Sequence, residues 1–108
     1  MLGYFVDKLG SAAIRSIEPP EMRPTDVQVD VAACSVNFAD LLMVKGTYQE
    51  KHAVPFCPGL EISGVISAVG AQVNTLKIGD RVAGFPGNGG LAEQAVVEAT
   101  RCTRLPDS

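Results

Sequence analysis

Histidine is nearly missing: His52 stands alone in 108 residues, so no metal-ligand cluster can be assembled from close neighbours. Cysteine is scarce and odd in number. Cys34, Cys57 and Cys102 lie far apart, which excludes a disulfide framework and reads as three scattered, buried or half-buried thiols. Lysine and arginine number nine against twelve acidic residues and never gather, which argues against a nucleic acid or an acidic membrane as partner. No apolar run approaches the roughly 18 residues that cross a bilayer, and the Met1–Tyr4 start lacks a basic region leading into an apolar one. Those absences point to the cytoplasm. Internal repeats and low-complexity tracts are missing too. The glycines at Gly87, Gly89 and Gly90 lack the GxGxxG spacing of a phosphate-binding turn, so a hairpin turn is the expectation there.

What is present is an ordinary globular balance, 46% hydrophobic, punctuated by eleven glycines and seven prolines spread along the chain. Frequent turns mean many short strands in a single domain. The run from Pro58 to Gly70 is central. Between Glu61 and Val69 it is rich in β-branched residues and alternates with period two. Ile62, Gly64, Ile66 and Ala68 share one apolar face. Gly64 stands where a side chain would pack, predicting a bulge or a close backbone approach. Lys77–Gly84 reads as the next strand, pairing with the first.

Tyr4–Asp7 and Ala13–Ile17 read as short strands around a Gly10-Ser11 turn. The proline-rich segment from Glu18 to Pro24 is a loop. Asp26–Cys34 is the clearest alternating strand, with Val27, Val29, Val31 and Ala33 toward the core. The period then changes. Asn37–Gly46 reads as a short helix, with Asn37 as N-cap, Asp40 in the first turn and Gly46 as the stop. Thr47–Cys57 is a polar loop carrying Tyr48 and His52, and Leu91–Val97 is a returning strand. Pro106-Asp107-Ser108 resembles the beginning of a helix, so the sequence reads as the front part of something longer.

Taken together, Ser35–Asp40, Gly46-Thr47-Tyr48, Pro58–Glu61, Val69-Gly70, Lys77–Val82 and Gly90–Glu93 resemble the medium-chain dehydrogenase/reductase superfamily, and within it the zinc-independent quinone oxidoreductase (zeta-crystallin-like) branch. The resemblance implies a mainly β, GroES-like, partly open β-barrel with one or two short helices, spanning residues 1–108. The family's nucleotide-binding Rossmann domain would come next and is absent from this sequence. The zinc-dependent alcohol dehydrogenases of the superfamily carry a cysteine and a histidine where this chain has Asn37 and Leu60, and neither replacement is a zinc ligand. A cysteine-rich lobe after Val82 is missing as well. The implied chemistry is NADPH-dependent reduction of a quinone or an α,β-unsaturated carbonyl, without zinc, by a homodimer or homo-oligomer. Asn37, Asp40 and Tyr48 line the cleft for nicotinamide and substrate in that picture, with Asn37 and Tyr48 as the catalytic pair. The chain alone, offering no pyrophosphate turn, is expected to be inactive.

Each assignment has a plainer competitor. Asn37 and Asp40 cap a helix equally well, Tyr48 and His52 suit a solvated loop, and Glu61 suits a structural role at a strand start. Cys57 has no basic neighbour to activate it. For function, an enoyl-thioester reductase of the same superfamily and a free-standing, non-catalytic GroES-like binding module compete with the quinone reductase.

Overall fold

The computed structural model describes residues 1–47 and 54–106. Tyr48, His52, Asp107 and Ser108 lie outside them. The described residues form a mainly β structure with one α-helix and two open antiparallel sheets. A hairpin pairs β1 (Leu2–Lys8) with β2 (Ser11–Ser16). The five-stranded sheet contains β3 (Asp26–Cys34), β4 (Ile62–Val69), β5 (Arg81–Gly84), β6 (Gln94–Glu98) and β7 (Cys102–Arg104), in the order β6-β3-β4-β5-β7. Helix α1 (Phe38–Lys45) lies between β3 and β4 in the chain. No helix of the described residues is long and apolar enough to cross a membrane.

The alternating pattern places Val27 and Val29 of β3, Ile62 and Ile66 of β4, Val82 of β5, and Ala95 and Val97 of β6 in one buried cluster. Each β-branched side chain there contributes roughly 1.5–3 kcal/mol by leaving water. A smaller cluster joins Val6 of β1, Met43 of α1 and Phe56 of the following loop.

Gly64 shows both devices that its place in the pattern predicts. A Cβ there would stand 2.1 Å from the carbonyl oxygen of Asp30. The β3–β4 register also slips beside it, from Val31 opposite Gly64 to Ala33 opposite Ser63. Ala32 is the extra residue of this bulge, and it reverses the faces of the residues after it. Val31, before the bulge, is half-buried and packs on the core as expected, but the expectation of a core-facing Ala33 is corrected: Ala33 is exposed, and Cys34 packs on the core in its place.

Two further corrections concern turns. Lys77–Asp80 is not strand, because the Asp80 carboxylate accepts from the Lys77 N–H at 3.0 Å and closes a turn, so β5 begins at Arg81. Gly87–Gly90 is not a hairpin turn either. Its flanking strands do not pair: β6 lies against β3 and β5 against β4 and β7, so this segment is a crossover. Residues 91–93 then pair with the start of β1 before β6 begins, through Tyr4 N–H to Leu91 O (2.8 Å) and Glu93 N–H to Leu2 O (2.9 Å).

Candidate functional site

The site is built where the end of β3, the first turn of α1, the loop before β4 and the crossover meet. Helix α1 starts where the expected capping residues stand: Asn37 is extended at the N-cap, and Asn37 and Asp40 form a capping box. Asp40 is 2% exposed, and its two oxygens serve different partners. Oδ2 accepts from the Asn37 N–H at 2.8 Å, and Oδ1 accepts from the N–H of Gly59 at 3.0 Å, nineteen residues away. One carboxylate thus closes the helix start and ties it to the loop before β4.

That loop is held tightly from its other side. Gly89, Gly90 and Leu91 donate to the carbonyls of Cys57, Gly59 and Pro58 at 2.6, 3.1 and 3.0 Å. Gly59 has φ +117°, and a Cβ on it would meet Leu91 N at 2.5 Å, so glycine is required twice over. The Pro58-Gly59 pair of the sequence pattern is therefore a close crossing of two backbones.

On the side facing β4, Ser35 and Glu61 extend the β3–β4 ladder by one step, Ser35 N–H to Glu61 O at 3.2 Å. Their side chains meet, Ser35 Oγ to Glu61 Oε2 at 3.3 Å, and Asn37 Nδ2 donates to Ser35 Oγ at 3.1 Å. The structure thus links Asn37 to Asp40 on one side and, through Ser35, to Glu61 on the other. Sequence reasoning missed Ser35 as a partner of Asn37. A serine two residues before a helix cap carries no signal of its own, and only strand pairing brings Glu61 opposite it.

Two hollows flank this point. An open, mostly apolar groove of about 850 Å³ runs past Tyr4, Val31, Val36, Leu41 and Leu91, with Asp40 in its wall. A smaller one of about 540 Å³ is lined by Ser35, Glu61, Phe85 and Arg101 among others. Asn37 lines neither hollow; of the two residues before it, Val36 lines the first and Ser35 the second. Leu60 packs against the Val6–Met43–Phe56 cluster. Tyr48 lies outside the described residues. Cys34 lines the larger groove; burial, and then the charges of Asp40 and Glu61, push its thiol up. Burial pushes the Cys57 thiol up to about 11, partly offset by the backbone N–H groups of Leu91 and Tyr4, so it is protonated and inert at neutral pH. Among the described residues no three His, Cys, Asp or Glu side chains come together as a metal site.

Comparison with known proteins agrees with this architecture. Residues 23–107 match the alcohol dehydrogenase GroES-like domain. Quinone oxidoreductase-like protein 2 of Bos taurus is 42% identical over 94 residues, covering 87% of this chain but 27% of that protein. The crystal structure of the Thermus thermophilus quinone oxidoreductase, determined alone and with NADPH, aligns with a TM-score of 0.82 at 31% identity, over 99% of this chain and 33% of that one. The human synaptic vesicle membrane protein VAT-1 homolog-like protein aligns with a TM-score of 0.93 at 28% identity, over 99% of this chain and 36% of that one. The chain spans about a quarter of the length of the quinone oxidoreductase-like protein 2 relatives it matches. The chain belongs to the alcohol dehydrogenase GroES-like domain family, within the medium-chain dehydrogenase/reductase superfamily.

Proposed function

We propose that this chain is the catalytic-domain portion of a zinc-independent, NADPH-dependent reductase of quinones or α,β-unsaturated carbonyls, completed by a nucleotide-binding domain and working as a homo-oligomer in the cytoplasm. The observation that carries the proposal is the combination of family membership with Asn37 and Leu60. Where zinc-dependent relatives need a thiolate and an imidazole, these residues supply a neutral amide and a hydrocarbon. An alcohol needs a Lewis acid before hydride can leave, whereas a quinone or enone is already electrophilic. Its remaining need is hydrogen bonding to the oxygen that gains charge.

When bound, NADPH supplies the hydride. Asn37 and Tyr48 are the residues of this chain assigned to the nicotinamide end and to the substrate oxygen. Tyr48 donates a phenolic O–H and Asn37 an amide N–H. Asp40 enters as the brace of that site, its two oxygens engaged by the N–H groups of Asn37 and Gly59. The pyrophosphate would be held elsewhere, since Gly87–Gly90 form a crossover and not a turn leading into a helix.

The test is NADPH oxidation by the longer oxidoreductase carrying this segment, measured with a panel of quinones and enones. Turnover is expected without added zinc and unchanged by chelator. Asn37→Ala and Tyr48→Phe are each expected to lower kcat/KM by roughly 10- to 100-fold. Zinc-dependent alcohol oxidation, or wild-type kinetics in both variants, overturns the assignment.

A further inference from the structure

We infer that Glu61, acting through Ser35, is a positioning residue that orients the Asn37 side chain so that an amide N–H, and not the amide oxygen, is offered to the substrate oxygen. This rests on the reading of Asn37 proposed above and adds how its polarity is set.

Donors and acceptors must match along Asn37, Ser35 and Glu61. A carboxylate only accepts, so the hydroxyl hydrogen of Ser35 belongs to the 3.3 Å contact with Glu61 Oε2. With that hydrogen committed, Ser35 Oγ can only accept from Asn37. The group facing it at 3.1 Å must therefore be the amide nitrogen, Nδ2. The helix start agrees with that orientation: in the capping-box arrangement the amide oxygen is the end turned toward the N–H groups of the first turn, while the Asp40 N–H itself donates to the Asn37 backbone carbonyl at 3.0 Å. Nδ2 carries two N–H groups; one serves Ser35, and the second is what Asn37 can offer a ligand. A donor suits an oxygen that becomes negative as hydride adds, where an acceptor would repel it.

Strand pairing makes the arrangement rigid. Cys34 pairs with Ile62 at the last step of the β3–β4 ladder, and Ser35 N–H reaches Glu61 O at 3.2 Å beyond it. Glu61 and Ser35 are therefore placed by the sheet, while Asn37 is placed by the helix. The side-chain relay couples the two.

The positioning is read directly from the Asn37 side-chain amide by 15N NMR of this chain, the signal being assigned by its loss in Asn37→Asp. In the wild type one amide proton is expected to be protected. Ser35→Ala and Glu61→Gln are expected to shift the signal and speed its exchange by roughly fivefold, the equivalent of one modest hydrogen bond. Ser35→Thr, which keeps the hydroxyl, retains the wild-type signal, and the α1 backbone amides stay unchanged because Asp40 is intact. An Asn37 signal indifferent to both Ser35→Ala and Glu61→Gln overturns the relay. In the intact reductase the same two variants are expected to lower kcat with a quinone by roughly fivefold and leave KM for NADPH unmoved, with Ser35→Thr restoring the rate. If the amide signal moves and kcat does not, the relay stands and the role of Asn37 in the reaction is what fails.

Discussion

Three aspartates, Asp26, Asp40 and Asp80, are buried, and each does the same local thing in a different setting. Each accepts the backbone N–H three residues before it: Arg23 to Asp26 at 2.9 Å, Asn37 to Asp40 at 2.8 Å, and Lys77 to Asp80 at 3.0 Å. Asp26 and Asp80 introduce the strands β3 and β5, and in both the residue at the start of the turn is a cation that also contacts the carboxylate. At Asp40 the starting residue is a neutral asparagine, and the spare oxygen reaches across to Gly59. The first two turns are self-contained. The third converts a local cap into a long-range tie, and it lies beside residues to which the family pattern assigns chemistry. The same motif is therefore a self-contained turn where its charge is matched within it, and a long-range tie where it is not.

The difference predicts that Asp40 is the most sensitive of the three. Asp40→Ala leaves one buried and one half-buried N–H group, of Gly59 and Asn37, without this acceptor and is expected to cost about 2–4 kcal/mol in urea melts. Asp40→Asn keeps one acceptor and is expected to lose about half as much. Hydrogen exchange should show the loss centred on α1 and Gly59, with the β3–β4 ladder retaining its protection. Equal loss across all strands would mean that Asp40 is simply a core residue.

Legibility in the sequence divides the same way, between local and distant effects. The strand Asp26–Cys34 and the helix capped by Asn37 and Gly46 are found where their local patterns place them, because alternation and capping act within a few residues. Gly64 was legible as a bulge or close approach because a gap in an apolar face needs a reason. What local pattern could not decide was pairing at a distance. Gly87–Gly90 has the composition of a hairpin turn, yet β6 finds its partner in β3, across the sheet. Lys77–Asp80 alternates like a strand until the Asp80 side chain captures the Lys77 backbone. At the site, Asn37 and Asp40 were visible both as a cap and through the family pattern. The bond from Asp40 to Gly59 and the placement of Ser35 against Glu61 exist only once the chain has folded.

Acid separates the charged turns from the rest of the fold. At Asp26 burial works to raise the carboxyl pKa, but the hydrogen bonds and charge of Arg23 outweigh it and hold the group below its ordinary value near 3.8. At Asp80 the Lys77 side-chain and backbone hydrogen bonds hold the carboxyl down, against a smaller opposing effect of burial. A carboxyl depressed by folding stabilises the native state above its unfolded pKa, and that contribution disappears as pH falls through the folded value. Stability is therefore expected to be flat from neutral pH down to about 4 and to decline below it. Asp26→Asn lowers stability at neutral pH and shallows the acid decline. A decline in Asp26→Asn and Asp80→Asn as steep as in the wild type would assign acid sensitivity to other groups.

The smallest effect isolates the cation from the turn it accompanies. The Lys77 side chain is 75% exposed and meets Asp80 Oδ1 at 2.9 Å, while the backbone N–H of the same residue holds Oδ2. Lys77→Gln removes the charge and leaves the backbone bond, so the turn before β5 should form as before. Exposed pairs are weakened by salt and by the entropy of holding a long side chain. The urea midpoint of Lys77→Gln is therefore expected to match the wild type within replicate scatter at about 0.5 M salt, roughly three times the ionic strength at which the Debye length is about 8 Å. Any difference should emerge only at low salt. A large, salt-independent loss would show that the ammonium itself builds the turn. The contrast with Asp40 would then rest on the presence of a charge, and not on where the second carboxylate oxygen reaches.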